Sequence, residues 1–527
     1  MKLKQGVLLF GLLSILLFNS LSFAQQILTP LGTDFKDKII AGNSDSTTIF
    51  LGNGFFPVTY EESGYTLPVK DTSRGWIRRK LLHEYFIQID HKDYFLAIDP
   101  IINLSLGENL LQSTSQRLFQ NTRGIQAFGE VMDKVSFYTV FYENQARFAE
   151  FQSEYFEDRG QQSLTNGVYT TTNATIPGGG RTKPFKQNGF DYASSAAYIR
   201  YKPFEKLALQ FGNTPQFIGW GHRSFLLSDN SFNFTNLKVD WQITPKLKYT
   251  VLRGKQLNLF RRAVTNQVEP PFERKYFGLH YLTFKPFKNI SLGLFEATTY
   301  LRDEAINSQP VDPMFYQPLI GVNTIAFGGE TPNLKNVVGI NFGWRLFKKQ
   351  LIYSQFVMDN LQNLQYGAQI GWRSFDLFSI KNLYIQTELN IATNRLFSAE
   401  NRRLSYTHFN LPLAHTLGNG FEEIILRAGY EWKRIYLNIK SVNYRADQSM
   451  ADKSLLFESN NETVNYNESI INFNSVELGY ILNQATRLSV FTKTTYRMSK
   501  TKETGQLNDG IVQFGIRTSL TNQYMDF

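Results

Sequence analysis

The feature that most restricts this chain is a two-residue rhythm of apolar and polar side chains, recurring from about residue 81 to the C-terminal end. In NLKVDWQI, Leu237, Val239, Trp241 and Ile243 share one face, while Lys238, Asp240 and Gln242 share the other. In LYIQTELNI, Leu383, Ile385, Thr387, Leu389 and Ile391 oppose Tyr384, Gln386, Glu388 and Asn390; GIVQFGIRTSL repeats the pattern with Val512, Phe514, Ile516 and Leu520 against Gln513, Gly515, Arg517 and Ser519. Side chains on a strand alternate between its two faces, so these are strands with one apolar and one polar surface.

The connections are as regular as the strands. AYIRYKPFEKLALQFG, YLTFKPFKNISLGLF, FGWRLFKKQLIYSQF, AGYEWKRIYLNIK and LGYILNQATRLSVF each read as two strands around a very short basic or Pro-containing turn, which is a hairpin. The links between hairpins are long and polar, notably 143–192, 256–273, 301–335, 394–420 and 445–472. Short turns at one end and long loops at the other are the layout of an outer-membrane barrel, with turns toward the periplasm and loops outward. Closure is then a necessity, because hydrocarbon offers no partner to an unpaired strand edge. A secreted sandwich or propeller would share the alternation, but a propeller has no systematic split between short and long connections.

The expectation is an all-β transmembrane antiparallel barrel. About nineteen alternating runs can be counted, the first near residue 81, and single-chain bacterial barrels use an even number, so 18 strands are expected within a range of 16–20. Composition agrees: aromatics are 15% of the chain, with 45 Phe and 27 Tyr. Phe527, the last residue, reads as an aromatic assembly signal of such barrels.

Ahead of the barrel, MKLKQGVLLFGLLSILLFNSLSFAQQ has a basic start, a short apolar run and small residues at Ser22 and Ala24, so residues 1–24 read as a signal peptide for Sec-type export. Residues 25–80 do not alternate and read as a periplasmic extension or a plug, with SRGWIRRKLL (Ser73–Leu82) as a short helix entering the wall and 81–527 as the barrel. Arg78, Arg79 and Lys80 there form either a solvated basic face near a headgroup layer or a phosphate or partner contact. The chain has no cysteine, which removes disulfides, thiolate chemistry and Cys-rich zinc sites. Its charge of +10 is scattered through strands and turns, which suits anionic surfaces or polymers and argues against a nucleic-acid site.

One stretch carries the residue types of an active site: GNTPQFIGWGHRSFLLSDNSFNF, residues 212–234. His222, Ser224 and Asp229 could be drawn as a triad, but Ser224 lacks a strand–turn–helix elbow, and no histidine pair has the helical spacing with an acid that a hydrolytic metal site uses. No catalytic residue, metal or cofactor is expected, and the chain reads as a non-enzyme. As a binding segment, Phe217 and Trp220 offer ring faces, while His222, Arg223, Ser228, Asp229 and Asn230 offer hydrogen bonds. Gly219 and Gly221 permit a tight bend. The alternative is that Arg223 pairs with a lumen carboxylate and the segment folds into the barrel mouth.

The run GNTPQFIGWGHRSFLLSDN (Gly212–Asn230) resembles the Wzi-type capsule-assembly barrels, in which a strand ending in Gly-Asn leads to Gly-x-Gly-x-Arg-Ser-Leu-Leu-Leu-Ser-Asp-Asn. Phe225 replaces the first Leu here, and the likeness extends loosely to Thr122–Gln145. The chain is also similar to RemB-type gliding-motility proteins of Bacteroidota. The resemblance implies an 18-stranded barrel of the outer membrane that holds surface polysaccharide at its outer face. The partners so implied are outer-membrane lipid and polysaccharide, or components of a motility or secretion machinery. A diffusion channel is a third expectation, since a lumen lined by Lys, Gln, Glu and Arg could conduct.

Overall fold

In the computed structural model, described for residues 26–42, 50–67, 73–112, 117–165, 168–261, 271–301, 312–360, 364–447, 468–502, 504–518 and 522–527, 18 strands form one closed antiparallel barrel. They are β1 (Tyr94–Asn109), β2 (Arg117–Val131), β3 (Val135–Arg147), β4 (Gly189–Phe204), β5 (Leu207–Gly212), β6 (Asn236–Thr244), β7 (Leu247–Arg261), β8 (Phe272–Phe284), β9 (Ile290–Tyr300), β10 (Leu334–Phe347), β11 (Gln350–Asn360), β12 (Gln365–Phe375), β13 (Leu383–Ala392), β14 (Phe421–Trp432), β15 (Ile435–Asp447), β16 (Glu468–Asn483), β17 (Leu488–Thr501) and β18 (Gly505–Arg517). Each pairs with its successor, and β18 closes on β1 from Ile511 opposite Asn109 to Arg517 opposite Asn103. The proposed signal peptide lies outside the described residues.

The surplus run in the sequence count is the first. Near residue 81 the chain is the end of a helix, Trp76–Leu82, followed by a short strand, Ile87–His91, that folds back on β1 with Ile87 opposite Ile98. Alternation over five residues does not distinguish a hairpin arm from a spanning strand. This arm completes the seam, because β18 holds only the outer part of the β1 edge and leaves the wall after Arg517. The chain then turns inward. Phe527, read in the sequence as an aromatic assembly signal, is buried there, and its ring stacks on Tyr155 at 3.7 Å.

The two faces of each strand have the surroundings that their chemistry demands. Leu237, Trp241, Leu389, Ile424, Leu426, Val512 and Phe514 are exposed on the outside, where lipid covers them. Lys238, Asp240, Gln386, Glu388 and Asn390 point inward and are buried. Their cover comes from segments that pack the lumen: the N-terminal region with its helix Thr33–Ala41, residues 213–235, the β13–β14 connection and residues 522–527.

The wall has one irregular stretch. β5 is six residues long and β6 nine, against the roughly nine to eleven that a tilted membrane span needs. Above them the chain leaves the wall for the lumen, and the facing edges of β4 and β7 lose their strand neighbour. Two short strand pairings, Lys183–Phe185 on β4 and Gln162–Ser163 on β7, together with side chains and loop backbone, replace it. Asn233 Nδ2 donates to Ser195 O at 2.8 Å, and Ala197 N donates to Asn213 Oδ1 at 2.7 Å. On the β7 side, Leu257 N donates to His408 Nδ1 (3.0 Å), Leu259 N to Asn410 Oδ1 (2.9 Å) and Phe409 N to Leu257 O (2.8 Å). The departure of 213–235 into the lumen is thus compatible with a bilayer only because other loops finish the wall.

An outward apolar position tests this architecture. Leu426→Arg is expected to lower stability by about 2–4 kcal/mol in urea unfolding from lipid vesicles. A change below about 0.5 kcal/mol would mean that this face does not meet hydrocarbon.

Candidate functional site

The segment 212–234 is a lumen element whose polar groups are turned toward protein. Phe217–Ile218 pairs with Phe55–Phe56 as a two-stranded ribbon, and Lys36 Nζ sits 3.5 Å above the Phe217 ring. Trp220 Nε1 donates to Leu51 O at 2.8 Å. The chain then turns sharply: the amides of His222 and Arg223 both donate to the Glu388 carboxylate of β13, at 2.7 and 3.0 Å. Gly219 has φ of 128°, and a side chain there would strike the Gln355 amide. Gly221 serves by close approach instead, since a Cβ would lie 2.6 Å from Glu388 Oε2.

Arg223 is the charge centre of this element. Its Nη2 lies 3.2 Å from Glu423 of β14 and 3.0 Å from Asp526. Lys440 of β15 and His222 also face Asp526, at 2.7 and 3.5 Å, and His415 Nε2 is 2.7 Å from Glu423. Burial pushes the Asp526 carboxyl up, but Arg223 and then Lys440 reverse this and hold it well below the usual carboxylate range. Burial holds the His222 imidazole well below its ordinary value, against the pull of Asp526, so it is neutral near pH 7.

The remaining residues of the stretch tie it to its neighbours. Ser228 Oγ donates to Ala414 O (2.5 Å) and Asn230 Nδ2 to Pro412 O (3.2 Å). Asp229 accepts from Tyr524 Oη (2.7 Å) and Asn522 Nδ2 (2.9 Å). All seven residues singled out in the sequence, Phe217, Trp220, His222, Arg223, Ser228, Asp229 and Asn230, are at most 7% exposed. Ser224 Oγ donates to Ile218 O and Asp229 faces Tyr524, so His222, Ser224 and Asp229 form no relay.

Helix Thr33–Ala41 is locked by a similar device. Asp37 accepts from Arg373 of β12 at 2.8 Å and from Arg427 of β14 at 2.7 Å. Its neighbour Lys36 donates to Gly221 O. Sequence reasoning missed Asp37 and Asp526 as partners, because nothing local marks a carboxylate that meets arginines more than 300 residues away in one case and about 300 in the other. Glu388 was legible only as a residue of the polar face of its strand.

A second cluster lies at the outer rim and combines three connections. Arg402 stacks 3.8 Å over Phe260 while both its terminal nitrogens hold Glu273, at 2.6 and 2.8 Å, and it reaches Tyr169 Oη at 3.2 Å. Arg261 and Arg181 lie 4.3 and 5.6 Å over the Phe272 ring, and Arg403 donates to Arg274 O. Tyr169 and Arg274 are exposed. Arg402 on Glu273, Arg181 and Arg261 over the Phe272 ring, and Arg403 at the Arg274 carbonyl bring basic groups and ring faces together at this rim. None of these residues was singled out as a site in the sequence, although the long polar connections 143–192, 256–273 and 394–420 contain most of them.

The fold and its lipid-facing belt define the class: an integral β-barrel of the outer membrane. No protein-family model matches the chain, and no curated protein matches its sequence. Among solved structures it is similar to Wzi of Escherichia coli, described as an outer-membrane protein involved in group 1 capsule assembly and a carbohydrate-binding β-barrel. The identity is 13%, the match covers 94% of this chain and 100% of that one, and the TM-score is 0.54. More distant matches are OccK2 (OpdF) of Pseudomonas aeruginosa in complex with glucuronate, at 8% identity, 81% and 98% coverage and TM-score 0.42, and a BenF-like porin from Pseudomonas fluorescens Pf-5, at 6% identity, 80% and 97% coverage and TM-score 0.42.

Two measurements probe the lumen network. Asp526→Asn is expected to destabilise the barrel by about 3–5 kcal/mol by leaving buried cations uncompensated, and a double-mutant cycle with Arg223→Ala should show a coupling of about 0.5–3 kcal/mol. Burial, reinforced by Arg373, lowers the Lys36 pKa from 10.5 to about 7. Between those values the unfolded chain keeps a proton that the fold lacks, so this group makes stability rise with pH across that window. Lys36→Met should remove that increment, read as the difference between wild-type and variant unfolding midpoints at pH 7 and pH 10; parallel profiles would count against it.

Proposed function

We propose that this protein is a non-enzymatic barrel that binds acidic surface polysaccharide at its outer rim and so anchors it to the cell. The observation that carries this reading is the rim cluster of Arg181, Arg261, Arg274, Arg402 and Arg403 with Tyr169 and Phe272. Ring faces stack on the apolar faces of sugars, and guanidinium groups meet carboxylates in a planar fork. The packing of the lumen by four separate segments favours a surface anchor over a diffusion channel. Wzi, itself described as a carbohydrate-binding barrel, gives the reading outside support. The buried stretch Phe217–Asn230 acts in it as scaffold: it fixes the β13–β14 connection, which carries Arg402 and Arg403, through the Ser228 and Asn230 bonds to Ala414 and Pro412.

The test is binding of purified protein in detergent to an acidic polysaccharide, with a neutral one as control. The combined change Arg261→Ala and Arg403→Ala should weaken binding to the acidic polymer by about tenfold or more, and salt should weaken wild-type binding, because partly exposed charges are screened. Equal binding to neutral polymer, or no effect of the change, would set this reading aside. Cross-linking in cells that recovered motility or secretion components at the rim in place of polysaccharide would favour the machinery role.

A further inference from the structure

The barrel wall carries a polar patch where lipid would be expected. On β9, the outward residues Leu292 and Leu294 are exposed, but the next outward positions, Glu296, Thr298 and Tyr300, are buried. Beside Glu296 on the same face is His280 of β8, and beyond it are Tyr249 and Arg253 of β7 and Asn336 of β10. The bare apolar stretch on β9, from Ile290 to Leu294, spans about 13 Å. On β14 the exposed apolar series from Ile424 to Trp432 spans about 27 Å, twice that length and, at the usual strand tilt, most of an apolar band about 25 Å tall. The outer half of the wall at β7–β10 therefore lacks its own hydrocarbon-facing surface.

The β9–β10 connection supplies one. Its described part, residues 312–333, folds down over the outside of the wall. Arg253 donates to the carbonyls of Phe315 and Gln317, and Tyr249 Oη to that of Pro318. Glu296 accepts from the amides of Gly321 and Thr324, at 2.7 and 2.9 Å, and Asn336 donates to the carbonyls of Asn323 and Gly328. Asn323 in turn donates to Thr298 and Tyr300. The polar side chains of the wall thus satisfy the irregular backbone of the loop, which is the condition for non-helical chain at membrane depth. The outer side of the loop is apolar: Tyr316 is 68% exposed, Leu319 63% and Ile325 87%.

We infer that residues 312–328 form a flap seated in the outer leaflet, with Tyr316, Leu319 and Ile325 in contact with lipid hydrocarbon, completing the apolar band that β7–β10 leave unfinished. Lipid is the occupant because the patch continues the belt formed by Leu282, Leu294 and Ile340, and because the flap, seated on the wall by hydrogen bonds and by Phe315 packed between Tyr276 and Tyr300, turns apolar side chains outward where an ordinary outer loop is polar.

The chain has no cysteine, so one introduced thiol is unique. Spin labels at Ile325→Cys and Leu319→Cys, in protein reconstituted into bilayers, would be compared with Leu294→Cys on the belt and Gln187→Cys on the exposed turn before β4. For both flap sites, collision with dissolved oxygen should exceed collision with a water-soluble nickel chelate, with a ratio within about twofold of that at Leu294. Ratios like that at Gln187 would overturn the inference. So would spin–spin broadening that disappears on dilution with unlabelled protein, which would make the occupant a second copy. Ile325 is almost fully exposed, so the label disturbs no packing, and the Leu319 site gives an independent reading.

Discussion

Pairing of every backbone group that faces hydrocarbon is the constraint on which the rest of the structure depends. It explains why β18 must meet β1, and why the Ile87–His91 arm occupies the part of the β1 edge that β18 leaves. It also explains the wall above β5 and β6, where amides from Asn213, Asn233 and Asn410 and the ring of His408 stand in for a missing strand. The flap over β7–β10 obeys the same rule from the opposite direction: there the wall satisfies the loop.

The lumen is governed by a second condition, that a buried charge needs a partner. The inward faces of the strands mix polar residues with apolar ones such as Phe277, Leu279, Ile425 and Phe473, because protein and not water fills much of that space. Asp37 between Arg373 and Arg427, Glu423 between Arg223 and His415, and Asp526 among Arg223, Lys440 and His222 are the points at which the interior segments are pinned to the wall. The arginine and lysine ion pairs among these contacts fix position more than they add stability, since desolvation offsets most of their attraction. These contacts pin the interior segments beneath the rim, where arginines from three connections come together.

The strands were legible because alternation is a local property. Leu389 and Glu388 lie on opposite faces in the sequence and in the structure, and the wall strands begin within about five residues of where the rhythm begins. The run near residue 81 misled because a helix end followed by a five-residue arm produces the same rhythm over a short window. The stretch 212–234 was legible as unusual but not as interior. Its Gly219 and Gly221 gave away a turn, while the carboxylates that the turn wraps, from Glu388 and Glu423, are known only from the fold.

The sequence by itself determined an outer-membrane barrel of about 18 strands, its outer and inner faces, and which connections are long. These follow from a period of two and from lipid's refusal of unpaired backbone, and neither needs a distant contact. Tertiary structure alone decided that residues 213–235 and 522–527 fill the lumen, that arginines from three connections converge at the rim, and that the β9–β10 loop covers the wall from outside. The lumen and rim contacts join residues more than a hundred positions apart, as in His222 with Glu388 and Arg402 with Glu273, and the flap is held from β7 by Arg253 bonding Phe315; none of these lies within the window in which alternation is read.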